Sequence, residues 1–274
     1  MKDDAIAVAT PLVRTGTQDL LCGLARVDLW GRLGWLEVKR RYRRTAIGPF
    51  WSSISLALFV VTLGVVGAGL WNQNLAEYLP YLTSGMVVWV MISTTISEAC
   101  MLYVSTGNLF RHMQFDFSLL AYALVWRNFI VLLHHLAVYA VLVLLLAPHV
   151  IGLPLLLILP GMALLMINGV WLSLLLGMSC LRFRDIQQVT MSVVQVAMFV
   201  TPIFWPIDQL QGTSRMVFVQ LNPLHHFVQI VRAPLLGNVP DLENYVVILL
   251  VTVIGWALTF VIFGRFRRRI AYWS

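Results

Sequence analysis

From Phe50 onward the chain is a succession of long apolar runs separated by short polar breaks, and each run is hydrophobic all round rather than on alternate positions. A helix that crosses a bilayer needs roughly 20 mostly apolar residues, because a rise of 1.5 Å per residue then covers about 30 Å of hydrocarbon. Six stretches fit: Phe50 to Trp71, Leu79 to Tyr103, Phe129 to Ala147, Leu155 to Leu176, Val189 to Trp205, and Tyr245 to Phe263. The expected fold is all-α, a polytopic membrane protein with six transmembrane helices. Pro154, Pro160, Pro202 and Pro206 fall in or beside the fourth and fifth runs and predict a kink, a break or a re-entrant turn there.

Three stretches outside these runs have patterns of their own. From Asp19 to Arg44, Leu20, Leu24, Val27, Trp30, Leu33 and Val38 recur near helical spacing, with Arg26, Arg32, Lys39 and Arg40 among the polar positions. That predicts an amphipathic interface helix lying along a membrane surface. The short segments Val104 to Phe117 and Arg182 to Gln188 mix Arg, His and Asp with Phe, as compact elements that dock on a partner do. The connection from Ile207 to Asn244 is punctuated by Pro223, Pro234 and Pro240; it is too apolar for a free loop, and its apolar stretches are too short to span. Two short re-entrant or interfacial helices are expected before the last span. The chain thus divides into an N-terminal region, 1–48, one transmembrane domain, 49–264, and a basic tail, 265–274.

Composition excludes a soluble globule: 59% of the 274 residues are hydrophobic, 11% are charged, and the mean hydropathy is +0.83, whereas soluble domains are about one-quarter charged. The net charge of +7 does not point to nucleic acid, because the basic residues sit at the ends of apolar runs rather than on one soluble face. Orientation explains them. With the N-terminus cytoplasmic, that side holds Lys2, Arg14, Arg26, Arg32, Lys39, Arg40, Arg41, Arg43, Arg44, Arg111, Arg182, Arg184, Arg265, Arg267, Arg268 and Arg269, and the outer side only Arg215 and Arg232. The positive-inside rule then places both termini in the cytoplasm of a cell with an energised inner membrane. Arg127 precedes the third run, where its stem is expected to snorkel to the interface. Residues 1–14 lack the pattern of a signal peptide, and Cys22, Cys100 and Cys180 share no metal-ligand spacing and predict no disulfide.

Motifs of catalysis are missing. There is no G-x-x-x-x-G-K-[ST] loop, so ATP is not bound by that route, and no H-E-x-x-H, G-x-S-x-G or C-x-x-C. The pairs His134-His135 and His225-His226 do not make a metal site, since adjacent helical residues point about 100° apart and no Cys, Asp or Glu shell accompanies them. Glu98 is the one carboxylate well inside a run, and pairing with Arg111 or Arg127 is its expected role.

Three stretches together resemble the permease subunit of bacterial type 2 ABC exporters, in the branch that exports lipid-linked polysaccharide such as O-antigen. They are the basic run Arg40 to Arg44 leading through Thr45-Ala46-Ile47-Gly48-Pro49-Phe50-Trp51 into the first span; Phe183-Arg184-Asp185-Ile186-Gln187-Gln188 before a span ending Thr201-Pro202-Ile203-Phe204-Trp205-Pro206; and Asn222-Pro223-Leu224-His225-His226 with Arg232 beyond. The resemblance covers Lys39 to the C-terminus. It implies a homodimer working with two copies of a separate nucleotide-binding ATPase subunit, which binds ATP and Mg; no cofactor belongs to this chain, which is not itself an enzyme. It also implies that Arg111, His112, Asp116, Arg182, Phe183, Arg184 and Asp185 are coupling elements against that ATPase, and that Pro202, Asn222, Pro223 and Arg232 belong to an outer gate.

On the first span Ser52, Ser55, Phe59, Thr62 and Val66 share one helical face, and on the fifth Gln188, Ser192, Gln195, Phe199 and Pro202 do the same. Such stripes glue helices together in many membrane proteins; with the resemblance they read as conduit lining for sugar, joined by Phe204 and Trp205. The other interfacial aromatics, Trp30, Trp35, Trp51, Trp71, Tyr78, Tyr81, Tyr245, Tyr272 and Trp273, read as anchoring belts. Arg40, Arg41, Tyr42, Arg43 and Arg44 lie where the pyrophosphate head group of a polyprenyl-linked glycan would meet the inner leaflet, and serve equally as anchors on anionic membrane lipid. Competing readings are a polytopic glycolipid-modifying enzyme, or a permease for capsule polymer, teichoic acid or a small amphiphilic drug.

Overall fold

The computed structural model describes residues 15–43, 45, 47–48, 50–105, 116–207 and 216–273, and all regular structure among them is helical. In chain order the helices are α1 (Gly16–Ala25), α2 (Val27–Tyr42), α3 (Phe50–Leu70), α4 (Leu75–Cys100), α5 (Ser118–Leu146), α6 (Ile158–Arg182), α7 (Asp185–Val200), α8 (Met216–Gln220), α9 (Pro223–Leu235) and α10 (Leu242–Trp273), with two 3-10 turns, Pro148–Val150 and Leu153–Leu157, between α5 and α6. Among the described residues, five helices, α3, α4, α5, α6 with its preceding 3-10 turn, and α10, are long and apolar enough to cross a membrane. Pro154 opens the 3-10 turn and Pro160 sits in the first turn of α6, where a missing N–H breaks no bond, so the fourth expected span stays whole.

Two of the expected spans change. α5 begins eleven residues before Phe129, at Ser118, and takes in Arg127, which is paired inside the fold rather than snorkelling. α7 has 16 residues, about 24 Å of helix, and falls short of the hydrocarbon thickness. It stops at Val200 because Pro202 removes a backbone donor and pushes Thr201 into an extended conformation.

α4 is the central helix: 72% of its apolar window is buried within the chain, against 33% or less for each of the other four. α3 packs on α4 and α5, α7 on α4 and α6, and α10 on α6 and α9. α9 sinks between α4, α6 and α10, burying Phe227, Val228, Ile230, Val231 and Leu235. Gly161 of α6 permits this close approach, since a Cβ there would lie 2.8 Å from the Ile230 carbonyl. Asn222 caps α9 through its side chain on the Leu224 N–H, and Pro223 follows at the first helical position.

The stretch from Asp19 to Arg44 is two helices broken at Arg26, not one. Small residues set its packing: Gly23 lies on Ser118, and Gly34 lies on the Ala123 carbonyl and Trp126 of α5. Of the expected apolar stripe, Leu20 and Val38 are buried while Leu24 and Val27 are exposed.

Candidate permeation groove and its anchors

The two stripes lie on outward faces of the bundle. On α3, Ser55, Phe59, Thr62 and Val66 are exposed and Ser52 is half-buried. On α7, Gln188, Ser192, Gln195 and Phe199 are exposed, and an open groove of about 650 Å³ follows that helix from Asp185 past Ser192 to Val200 and Asn222. α4 lies between the two helices, so within one chain the stripes flank the same core without packing on each other.

Thr201 still donates its N–H to the Ala197 carbonyl at 2.9 Å, but residues 202–205 leave the helix and their carbonyls need other partners. Tyr78 donates to the Phe204 carbonyl, and Tyr81 donates to those of Pro202 and Trp205 at 3.2 and 3.1 Å. Arg232, 1% exposed, donates to Pro202 at 2.7 Å and to Ile203 at 3.0 Å, with its guanidinium 4.2 Å above the Tyr81 ring. Asn222 donates to the Thr201 hydroxyl at 2.8 Å, and Trp205 folds back to the Phe199 carbonyl at 3.0 Å. Phe199 and Phe204 meet edge to face at 5.7 Å. Burial and then the neighbouring His226 and Arg232 pull the His225 imidazole down to about 4.

The opposite end of the bundle is basic and is tied together by ions. Arg127 of α5 pairs with Glu98 of α4 and Glu37 of α2, and Arg41 of α2 takes the other oxygen of Glu98. Burial lowers the Arg41 pKa, but the hydrogen bond and charge of Glu98 outweigh it and hold the guanidinium above its ordinary value. Asp19, fully buried, accepts the backbone N–H groups of Phe117 and Ser118 at 3.1 and 3.0 Å and pairs with Arg267 of α10. It thereby caps α5 from another helix and pins α1 to both α5 and α10. Asp116 is also buried and pairs with Arg26 at 3.4 Å. The turn from α6 to α7 is the contrary case: Phe183 is 60% exposed, beside exposed Arg182, Arg184 and Asp185.

A helical bundle with this arrangement, crossed by several apolar helices and lacking regular structure other than helix among the described residues, is matched by a known profile. The profile of the ABC-2 type transporter family matches residues 29–236. This chain belongs to the ABC-2 type transporter family. It is a multi-pass membrane permease, a transport subunit rather than an enzyme, and a permease of an ABC exporter works with an ATPase partner. It is also similar to the O-antigen export system permease protein RfbA of Myxococcus xanthus, 22% identical over 253 residues, covering 84% of this chain and 89% of the relative.

The fold places the expected site residues of this ABC-2 permease as follows. Arg232, Pro202 and Asn222 converge, with Pro223 next to them, and Arg232 is buried and bonded to the backbone there. Asp116 is buried and pairs with Arg26, which joins the start of the α5 region to the turn between α1 and α2. Arg40, Arg41 and Arg43 are exposed and Tyr42 is half-buried, while Arg44, Arg111 and His112 lie outside the described residues. Tyr78 and Tyr81, read as belt residues, point inward to the 201–205 carbonyls. Tyr78, Tyr81 and Gly85 stand at i, i+3 and i+7, a helical face that with one arginine deep in an apolar stretch was the available signal.

Proposed function

We propose that this permease exports lipid-linked polysaccharide of the O-antigen type, carried on a polyprenyl diphosphate, across a bacterial inner membrane as a homodimer bound to two copies of a separate ATPase subunit. The observation that carries the reading is the pair of outward stripes on α3 and α7, which mix Ser, Thr and Gln with Phe59 and Phe199. Sugar hydroxyls take hydrogen bonds from such side chains while apolar ring faces stack on the aromatics. Because α4 keeps the stripes apart in one chain, a second copy is what closes them into a passage. The O-antigen relative supports the cargo class.

Topology supports the same assignment. Asp19 of α1 pairs with Arg267 of α10, so α1 and the later part of α10 lie at one end of the bundle, which fits an even number of crossings. Five long helices supply an odd number; α7 extended by residues 201–205 supplies the sixth. The arginine-rich end is then cytoplasmic, with α1 and α2 along the inner interface. There Arg40, Arg41 and Arg43 meet the diphosphate, and Phe183 with Arg182, Arg184 and Asp185 docks on the ATPase, which holds ATP and Mg.

Mild detergent extraction followed by affinity purification of this chain tests the reading. A separate ATPase is expected to accompany it, and polyprenyl-diphosphate-linked glycan is expected to raise ATP turnover at least severalfold, while capsule polymer, teichoic acid and small amphiphilic drugs do not. Turnover indifferent to the glycan, or raised by the drugs instead, contradicts it.

A further inference from the structure

The ion-pair tetrad at the basic end has one exchangeable member. Glu98 commits one carboxylate oxygen to Arg41 and the other to Arg127, and Arg127 commits its two terminal nitrogens to Glu98 and Glu37. Arg127 is 12% exposed and its Nε is buried without a hydrogen-bond partner, so withdrawing it would strand a cation inside the fold. Arg41 differs. It is 45% exposed, it reaches Glu98 through one terminal nitrogen, and Arg40 and Arg43 beside it are exposed as well. Two arginines and two glutamates sum to zero, so drawing Arg41 away leaves Arg127 between two carboxylates, a net charge of −1 at a partly dry interface.

We propose that Arg41 is an anion-exchange switch: a diphosphate presented at the membrane surface displaces Glu98 from Arg41 and so detaches the last turn of α2 from α4. This rests on the head-group assignment above and adds the regulation of that site. A diphosphate outcompetes a single carboxylate because it offers two phosphoryl groups, one to the guanidinium fork of Arg41 and one to Arg40 or Arg43. The consequence is mechanical: the pair ties the last turn of α2 to α4, and exchange frees that turn when cargo is present.

The test uses the full chain in lipid nanodiscs, with polyprenyl diphosphate as the membrane-borne probe and inorganic pyrophosphate as the soluble one, and reads bound probe by native mass spectrometry. Removing the resident competitor with Glu98→Gln is expected to tighten polyprenyl diphosphate binding about fivefold, the change that corresponds to losing about 1 kcal/mol of partly exposed ion pairing. Arg41→Gln is expected to weaken it, and the double variant to bind no better than Arg41→Gln alone, because the gain exists only through Arg41. Should Glu98→Gln fail to assemble, Glu98→Asp, one methylene shorter, gives a smaller gain of the same sign. Unchanged or weaker binding in Glu98→Gln, or a gain that survives in the double variant, overturns the exchange. If the arginine variants still weaken binding in that case, the head-group assignment stands; if none of them alters it, both fall. A gain confined to inorganic pyrophosphate overturns the lipid as the source of the anion.

Discussion

Arg232 is 1% exposed, and its two terminal nitrogens are given to two backbone carbonyls of a segment that has no helix to satisfy them. Leaving those carbonyls dry and unpaired costs about 1–3 kcal/mol each, so Arg232→Leu is expected to lower stability by about 3 kcal/mol or more. Gly85→Ala approaches the same cradle from the other side, since its Cβ would lie 1.9 Å from the Arg232 guanidinium. Both variants are expected to unfold at lower temperature in detergent, whereas Arg43→Leu, on an exposed turn, leaves the unfolding temperature within error. Circular dichroism melting of the purified chain checks this; equal melting of Arg232→Leu and the native protein contradicts the clamp. The Glu98–Arg127 pair was legible in the sequence as a lone carboxylate inside an apolar run, whereas the start of α5 at Ser118 was not, because a hydropathy window leaves Arg127 before the span while the fold pairs it inside. Asp19 was equally hidden, because the N–H groups it caps lie 98 and 99 residues away.

At the scale of elements, periodicity was informative and tertiary placement was not. The faces on α3 and α7 follow from spacing alone, and Pro202 foretold the end of α7 within two residues. That α4 would separate the two faces depends on helix packing, for which a single sequence has no signal of comparable strength. Likewise the stretch from Asp19 to Arg44 reads as one amphipathic helix, yet glycines at 23 and 34 draw α1 and α2 onto α5 by backbone contact and turn part of the apolar stripe outward. The exposed stripe has a direct consequence. Phe199 is 62% exposed, so Phe199→Ala is expected to leave the melting temperature nearly unchanged, within about 0.5 kcal/mol, and to reduce polysaccharide export several-fold. Surface polysaccharide measured in cells carrying the variant, alongside the melt, separates the two effects; unaltered export removes Phe199 from the passage.

The whole molecule is a bundle with two unequal ends. One is a buried cradle of tyrosines and Arg232 around a broken helix, and the other is a basic platform in which ion pairs bind α1 and α2 to α4, α5 and α10. The segment that follows α7 is held by hydrogen bonds to α4 and α9, so under the proposed docking near Phe183 a motor would move α7 against a fixed far end. The family the chain belongs to works with an ATPase partner. The most direct measurement is glycan translocation in proteoliposomes: this chain and its ATPase are reconstituted together, and polyprenyl-diphosphate-linked polysaccharide reaching the far leaflet is detected with a membrane-impermeant lectin. The account predicts lectin labelling that requires both subunits and ATP hydrolysis. Labelling with this chain alone, or with both subunits but no ATP, would contradict it.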